Sequence, residues 1–471
     1  MEDSIAPGPA PDVRALLHRV ADDAADWLDS LAERPVRPAL TPAEMVVADV
    51  LPDAPMAVEN VVSDLVREAT PGLMAMGSPR FLGFVVGGAH PAGLAADWLA
   101  TAWDQNAAMA AVTPAVAALE SVAGAWVLDL LGLPADASFA FVTGCQMAHV
   151  TALAAARHRV LADAGHDVER DGLAGAPPIR VLSGDERHAT VDRALRFLGL
   201  GTGALETVAV DARGALRADA LRAALGNGDG RPTIVVAQAG NVNTGAIDPL
   251  ADVCAAAREA GAWVHVDGAF GLWAAASPSR RTLVRGAELA DSWTTDAHKW
   301  LNVPYDCGIA VVRDAEAHRA ATSTAAAYLV QDPGGPREPL DWSPEFSRRA
   351  RGVAVYATLR ALGRDGVAEL VDRLCACAEQ FAARLAATDG FEVVAQGLNQ
   401  TLVRVGDDDA VTAATLAAVQ ADGTCWPSGT AWRGRGCIRL SVCNWQTTAL
   451  DVDRSVDALA RAARDALAVR V

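Results

Sequence analysis

Lysine is nearly absent from this chain: of 40 basic side chains in 471 residues, Lys299 alone is not arginine. Arginine serves wherever only a solvated positive charge is needed. It cannot serve where an amine must lose its proton and attack a carbonyl, because a guanidinium stays protonated. A surface lysine of no special role is the competing reading of that count. Cysteine is sparse and scattered, eight residues in all, with Cys375 and Cys377 the only close pair and no CxxC spacing. That argues against zinc or another metal and against a disulfide framework, and it fits a reducing cytoplasm. No run of about 18 apolar residues is free of charges or helix breakers, so no membrane span is expected. The acidic start at Met1-Glu2-Asp3, with no apolar stretch behind it, argues against a signal peptide. The formal net charge of −18 argues against nucleic acid and anionic membrane surfaces as partners.

What is present is ample apolar material, 51% of residues, in a length that suggests about three domains. Amphipathic helices broken by prolines are expected over 13–31 and 57–69, then a Gly-rich apolar turn at 78–88 and a helix over 94–103. From about 105 to 345 short apolar runs alternate with helical stretches. The runs at 139–142, 179–182, 208–210, 233–237, 263–266, 292–294 and 309–312 predict seven strands of a buried sheet. A helix over 352–388 follows, then a smaller α+β unit with strands at 392–394 and 437–442. No internal repeat is present.

In an open α/β sheet, ligands sit beyond the carboxyl ends of the strands, and four such ends here carry suggestive residues. Gly144-Cys145-Gln146 opens a helix whose N–H groups could hold a phosphate, although many strand–helix turns look alike. Asp267 ends a strand; a buried carboxylate there needs a partner such as a protonated ring nitrogen, or it merely caps the next turn. His188 could stack on a planar ligand or be an ordinary loop histidine. The donor-rich turn 238–245 contains Thr244. With Lys299 and its neighbours Asp296 and His298, these parts suit one common cofactor, pyridoxal 5′-phosphate.

The wording of these stretches is similar to a known family. In Asp296-Ala297-His298-Lys299-Trp300-Leu301, and in 141–157, 182–201, 236–249, 265–271 and 437–448, the chain resembles the group II pyridoxal-phosphate-dependent decarboxylases of aromatic amino acids, glutamate and related substrates. The resemblance implies an α/β fold of type I, with a mixed seven-stranded sheet flanked by helices. It further implies a helical N-terminal segment (1–95) wrapping a dimer partner, a cofactor-binding domain (96–350) and a small α+β C-terminal domain (351–471). Lys299 would bind the cofactor aldehyde as a Schiff base and Asp267 the ring nitrogen. Ala269 would lie under the ring and His188 over it, with Thr244 near the phenolic oxygen or the phosphate. Gly144, Cys145, Gln146, Asp296 and His298 would surround the phosphate. The implied activity is decarboxylation of an L-amino acid to an amine in a cytoplasmic homodimer with a shared active site. The alternatives on the same scaffold are an aldehyde-forming decarboxylase, an aminotransferase or a lyase.

Three departures stand against a full carry-over. Cys145-Gln146 replace the expected hydroxyl residues, and His149 stands where a smaller residue is expected. The substrate pocket, expected from Phe84, Val85, Trp103, Asn106 and Trp342, is thin in aromatic walls. Family members carry a loop tyrosine that protonates Cα, and of the three tyrosines only Tyr328 lies in the matching loop, with Trp342 where the motif could place the tyrosine.

Overall fold

The computed structural model describes residues 12–324 and 337–468; Tyr328 lies outside them. Among the described residues the strands are β1 (Phe81–Leu82), β2 (Ser138–Val142), β3 (Arg180–Gly184), β4 (Leu205–Val208), β5 (Thr233–Gln238), β6 (Trp263–Asp267), β7 (Ser292–Asp296), β8 (Gly308–Val312), β9 (Phe391–Gly397), β10 (Gln400–Val405), β11 (Trp426–Trp432) and β12 (Arg435–Ser441).

Seven of these form the large sheet, in the order β2-β8-β7-β6-β5-β3-β4. Strand β8 runs antiparallel to both neighbours and the remaining pairs are parallel, so the sheet is mixed as expected. Helices cover both faces, which is why β2, β5, β6, β7 and β8 are buried at every position and read as continuous apolar runs. The edge strand β4 differs. It begins at Leu205 and ends at Val208, where the sequence suggests 208–210, because its half-buried Glu206 and exposed Thr207 mask the strand signal.

A second sheet, of five strands, has the order β1-β11-β12-β10-β9. Strands β10 and β11 escape the sequence reading: Arg404 interrupts the one, and Pro427 and Gly429 the other. The expected helix over 352–388 spans Arg351–Ala386 but breaks at Gly363, whose φ of 63° is a conformation only glycine adopts freely. Residues of the N-terminal stretch are tied to this sheet and to the helices beside it in the same chain. β1 pairs with β11, Val36 N–H donates to the Gly423 carbonyl at 2.8 Å, and Arg454 pairs with Glu33 at 2.9 Å. The helices Val13–Ser30 and Val58–Ala69 bury none of their residues in this chain.

The edge strand β2 is held by His318, on the helix Ala315–Thr322, through Ser138 Oγ at 2.8 Å and the Trp342 carbonyl at 3.0 Å. Burial, reinforced by the charge of Arg337, pushes this imidazole down to about 3. The unfolded chain, with an ordinary histidine near 6.5, therefore takes up a proton that the native fold refuses. Stability falls as pH drops through that window, by about 1.4 kcal/mol per pH unit while one proton separates the states. Thermal melts between about pH 7 and pH 5 should show a shallower loss for His318→Gln than for the wild type. Equal slopes would mean that His318 does not titrate on unfolding.

Candidate functional site

The carboxyl ends of β2, β5, β6 and β7 converge on a cavity of about 260 Å³. Its lining joins Gly144, Cys145 and Gln146 at the start of the helix Cys145–Asp163 to His188, Asp267, Ala269, Asp296, His298 and Lys299. Gly144 and Lys299, 155 positions apart in the sequence, thus meet because parallel strands deliver their ends to one edge.

Asp296 is the junction. As the last residue of β7, its Oδ1 accepts the Cys145 N–H at 2.7 Å and its Oδ2 pairs with Lys299 Nζ at 2.9 Å. His298 Nε2 stands 3.7 Å from Oδ1, while its Nδ1 accepts the Cys307 N–H at 3.1 Å. Burial lowers the proton affinity of Lys299, but the Asp296 charge outweighs it and raises the amine above its ordinary value. Beside Asp296 the amine thus favours its protonated form and must give up that proton before it can attack a carbonyl. Burial lowers the pKa of His298 despite Asp296, and raises the Cys145 thiol well above its usual value. Cys145 thus meets this site through its backbone rather than through a thiolate.

The lysine segment is pinned from above by the Gly-rich turn. Gly87 N–H donates to the His298 carbonyl at 3.3 Å, and Gly88 N–H donates to Asn302 Oδ1 at 2.7 Å. A Cβ on Gly87 would stand 2.2 Å from the Lys299 carbonyl oxygen, so this contact requires glycine.

Asp267 ends β6 with Oδ1 accepting the Ala269 N–H at 3.2 Å. Burial would raise its pKa; the opposing pull of His149, His188 and Lys299 wins and holds it well below the usual carboxylate range. It is an ionised group at the cavity wall, suited to a cationic ring nitrogen. His188 caps the helix Ala189–Phe197 through Thr190 and lowers its own pKa by burial, with Asp267 opposing. The residues fit pyridoxal phosphate: one amine, one buried carboxylate across the cavity, and a helix start. Among the described residues the buried Gln146 Oε1 and His149 Nε2 make no close hydrogen bond, Asp267 Oδ2 standing 3.5 Å from the latter.

Other expected residues fall elsewhere. Thr244 does not line the cavity; its hydroxyl donates to the Arg213 carbonyl at 2.7 Å and accepts the Ala246 N–H, so it shapes its turn. Of the expected substrate pocket, Val85 lines the cavity and Phe84, Trp103, Asn106 and Trp342 do not. Phe84 and Trp103 are exposed, Asn106 accepts the Arg348 N–H, and Trp342 sets its ring edgewise against His318. Thr190 and Phe270 also line the cavity, as do Gln238, Gly240 and Val242 of the donor-rich turn; the sequence reading named none of the five as a site residue. Tyr305, six residues after Lys299, stacks on His298 with ring centroids 4.4 Å apart.

Residues 42–405 match the family described as Pyridoxal-dependent decarboxylase conserved domain. The tyrosine decarboxylase of Oryza sativa subsp. japonica is 32% identical over 410 residues, 82% of this chain and 75% of that protein. The L-2,4-diaminobutyrate decarboxylase of Rhizobium meliloti (strain 1021) is 30% identical over 436 residues, 88% of this chain and 84% of that protein. Among solved structures, Oryza sativa TDC with PLP and tryptamine superposes with a TM-score of 0.91 over 98% of this chain and 99% of that one. Its 24% identity makes that a likeness of fold.

Because Lys299 is the only lysine, its titration can be followed by amine acylation once the chain terminus is blocked. Asp296→Asn removes the charge that raises the amine, so acylation of Lys299 below pH 9 should quicken by about tenfold or more. Unchanged rates would show that Asp296 does not hold the proton.

Proposed function

The chain belongs to the pyridoxal-dependent decarboxylase family, and from that premise we propose that it releases carbon dioxide from an L-amino acid, leaving the amine, with the residues of the strand-end cavity as its working parts. The observation that carries this reading is that Lys299 and Asp267 line one cavity together with His188 and a helix start. When bound, pyridoxal phosphate supplies an electron sink for the breaking bond between Cα and the carboxylate. Lys299 would hold its aldehyde end and Asp267 its ring nitrogen, with His188 and Ala269 on the two ring faces. Gly144, Cys145, Gln146 and His298 would hold the phosphate.

Each of these groups has a physical task. Asp267, ionised and buried, keeps a proton on whatever nitrogen faces it. Asp296 Oδ2, 2.9 Å from Lys299 Nζ, is the nearest base to the ammonium proton that must leave before the amine can act. Val85, Val242 and Phe270 give the cavity apolar walls that thin out water and strengthen these charges.

The same reading includes a homodimer with a shared active site. Its support is apolar surface on the N-terminal segment, where Val46, Val50, Leu51 and Leu65 are 64–89% exposed. Exposed apolar runs of this kind mark surfaces covered in an assembly. Tyr328 is our candidate for the acid that returns a proton to Cα.

The test is a substrate panel that includes tyrosine, tryptophan, glutamate and 2,4-diaminobutyrate, with carbon dioxide, amine, ammonia and aldehyde all measured. We expect equal amounts of carbon dioxide and amine from one substrate class, and none from Lys299→Ala. Aldehyde and ammonia from the wild type would contradict simple decarboxylation. Asp267→Ala should lower turnover by about two orders of magnitude or more, since stranding a buried charge partner costs several kcal/mol. Light scattering of the purified protein should give twice the chain mass; a monomer would refute the shared site.

A further inference from the structure

Strand β6 turns Trp263, His265 and Asp267 to one face, because side chains alternate along a strand. That face lies under the helix Cys145–Asp163, from which His149 reaches down. A buried polar chain connects them. Trp263 Nε1 donates to Ser292 Oγ at 2.9 Å, on the position of β7 paired with His265. Ser292 Oγ lies 2.9 Å from His265 Nδ1, and His265 Nε2 lies 2.9 Å from His149 Nδ1. His149 Nε2 then faces Asp267 Oδ2 at 3.5 Å.

The direction of this chain follows from the indole, which can only donate. Ser292 Oγ accepts from it, and the serine hydroxyl finds one acceptor among the described residues, His265 Nδ1. The opposite arrangement would leave that buried hydroxyl hydrogen unpaired, at a cost of about 1–3 kcal/mol. His265 is accordingly protonated on Nε2 and donates to His149 Nδ1, which places the remaining His149 proton on Nε2, aimed at Asp267. Ser292, His265 and His149 are fully buried, where apolar residues would pack at lower cost. Asp267 Oδ2 has no other donor among the described residues, Oδ1 being held by Ala269.

We propose that His149 is a positioning residue for the decarboxylase, presenting an N–H to Asp267 Oδ2 through the chain Trp263–Ser292–His265–His149, so that this carboxylate stays ionised and aimed at the cofactor's ring nitrogen. The inference rests on the role of Asp267 proposed above. It also gives a task to a histidine that stands where the family resemblance calls for a smaller residue.

Two measurements test it. In the cofactor-free protein with ¹⁵N-labelled histidine, nitrogen shifts report which ring nitrogen carries the proton. We expect His149 and His265 both neutral with the proton on Nε2, assigned through His149→Asn and His265→Asn. A doubly protonated His149, or protons on Nδ1 of either ring, overturns the chain. This readout uses the wild type, so it stands even where a variant fails to fold. In the holoenzyme reconstituted with ring-¹⁵N pyridoxal phosphate, the wild type should show a protonated ring nitrogen. His149→Phe should move that signal towards the unprotonated form and lower kcat by about tenfold or more, with KM within about threefold. His149→Asn, whose amide can still donate, should recover part of both. A protonated nitrogen that is unchanged in His149→Phe, with kcat unchanged, overturns the role of His149. A nitrogen already unprotonated in the wild type instead overturns the role of Asp267, and this inference with it.

Discussion

The ion pair between Asp296 and Lys299 is the contact on which the site depends. Its carboxylate ends β7, takes the first N–H of the helix Cys145–Asp163 and holds the amine at 2.9 Å. The end of β7, the lysine that follows it and a helix start 151 positions away are thereby fixed at one point. Burial weakens the amine's hold on its proton, and the charge of the carboxylate more than restores it. The Gly-rich turn then clamps the same segment from the other side, through Gly87 and Gly88.

A second carboxylate, Asp267, ends the adjacent strand, and the two have different surroundings. Asp296 is satisfied by groups of its own chain, a backbone N–H and the ammonium. Asp267 has one backbone N–H and the imidazole of His149 at long range, so it retains capacity for a further donor. One carboxylate therefore acts on the amine and the other is left facing the cavity. That division of labour follows from neighbours on the helix Cys145–Asp163 and on β6, not from any difference between the two side chains themselves.

Much of this could be read from the sequence. The seven strands were legible because burial on both faces makes each a short apolar run, and the half-exposed edge strand β4 was the least accurately placed. Lys299, Asp267, His188, Asp296 and His298 were legible because each is a chemically distinctive residue at a strand end, and the structure brings them together. Lining residues such as Val242 and Phe270 were not, since an apolar wall is indistinguishable in sequence from core. Thr244 was misplaced for a related reason: a hydroxyl in a donor-rich turn can serve the turn itself, and here it does. The link between His149 and His265 required the crossing of helix and sheet, because the two lie 116 positions apart.

The central claim, that Lys299 is the cofactor-bearing amine, has one direct test. Purified protein loaded with pyridoxal phosphate is reduced with borohydride, digested and mapped by mass spectrometry. The account predicts a single pyridoxyl group per chain, on the peptide containing Lys299, and none on Lys299→Arg, whose guanidinium forms no stable adduct. A pyridoxyl group fixed on any other internal peptide, or undiminished fixation on Lys299→Arg, would contradict it.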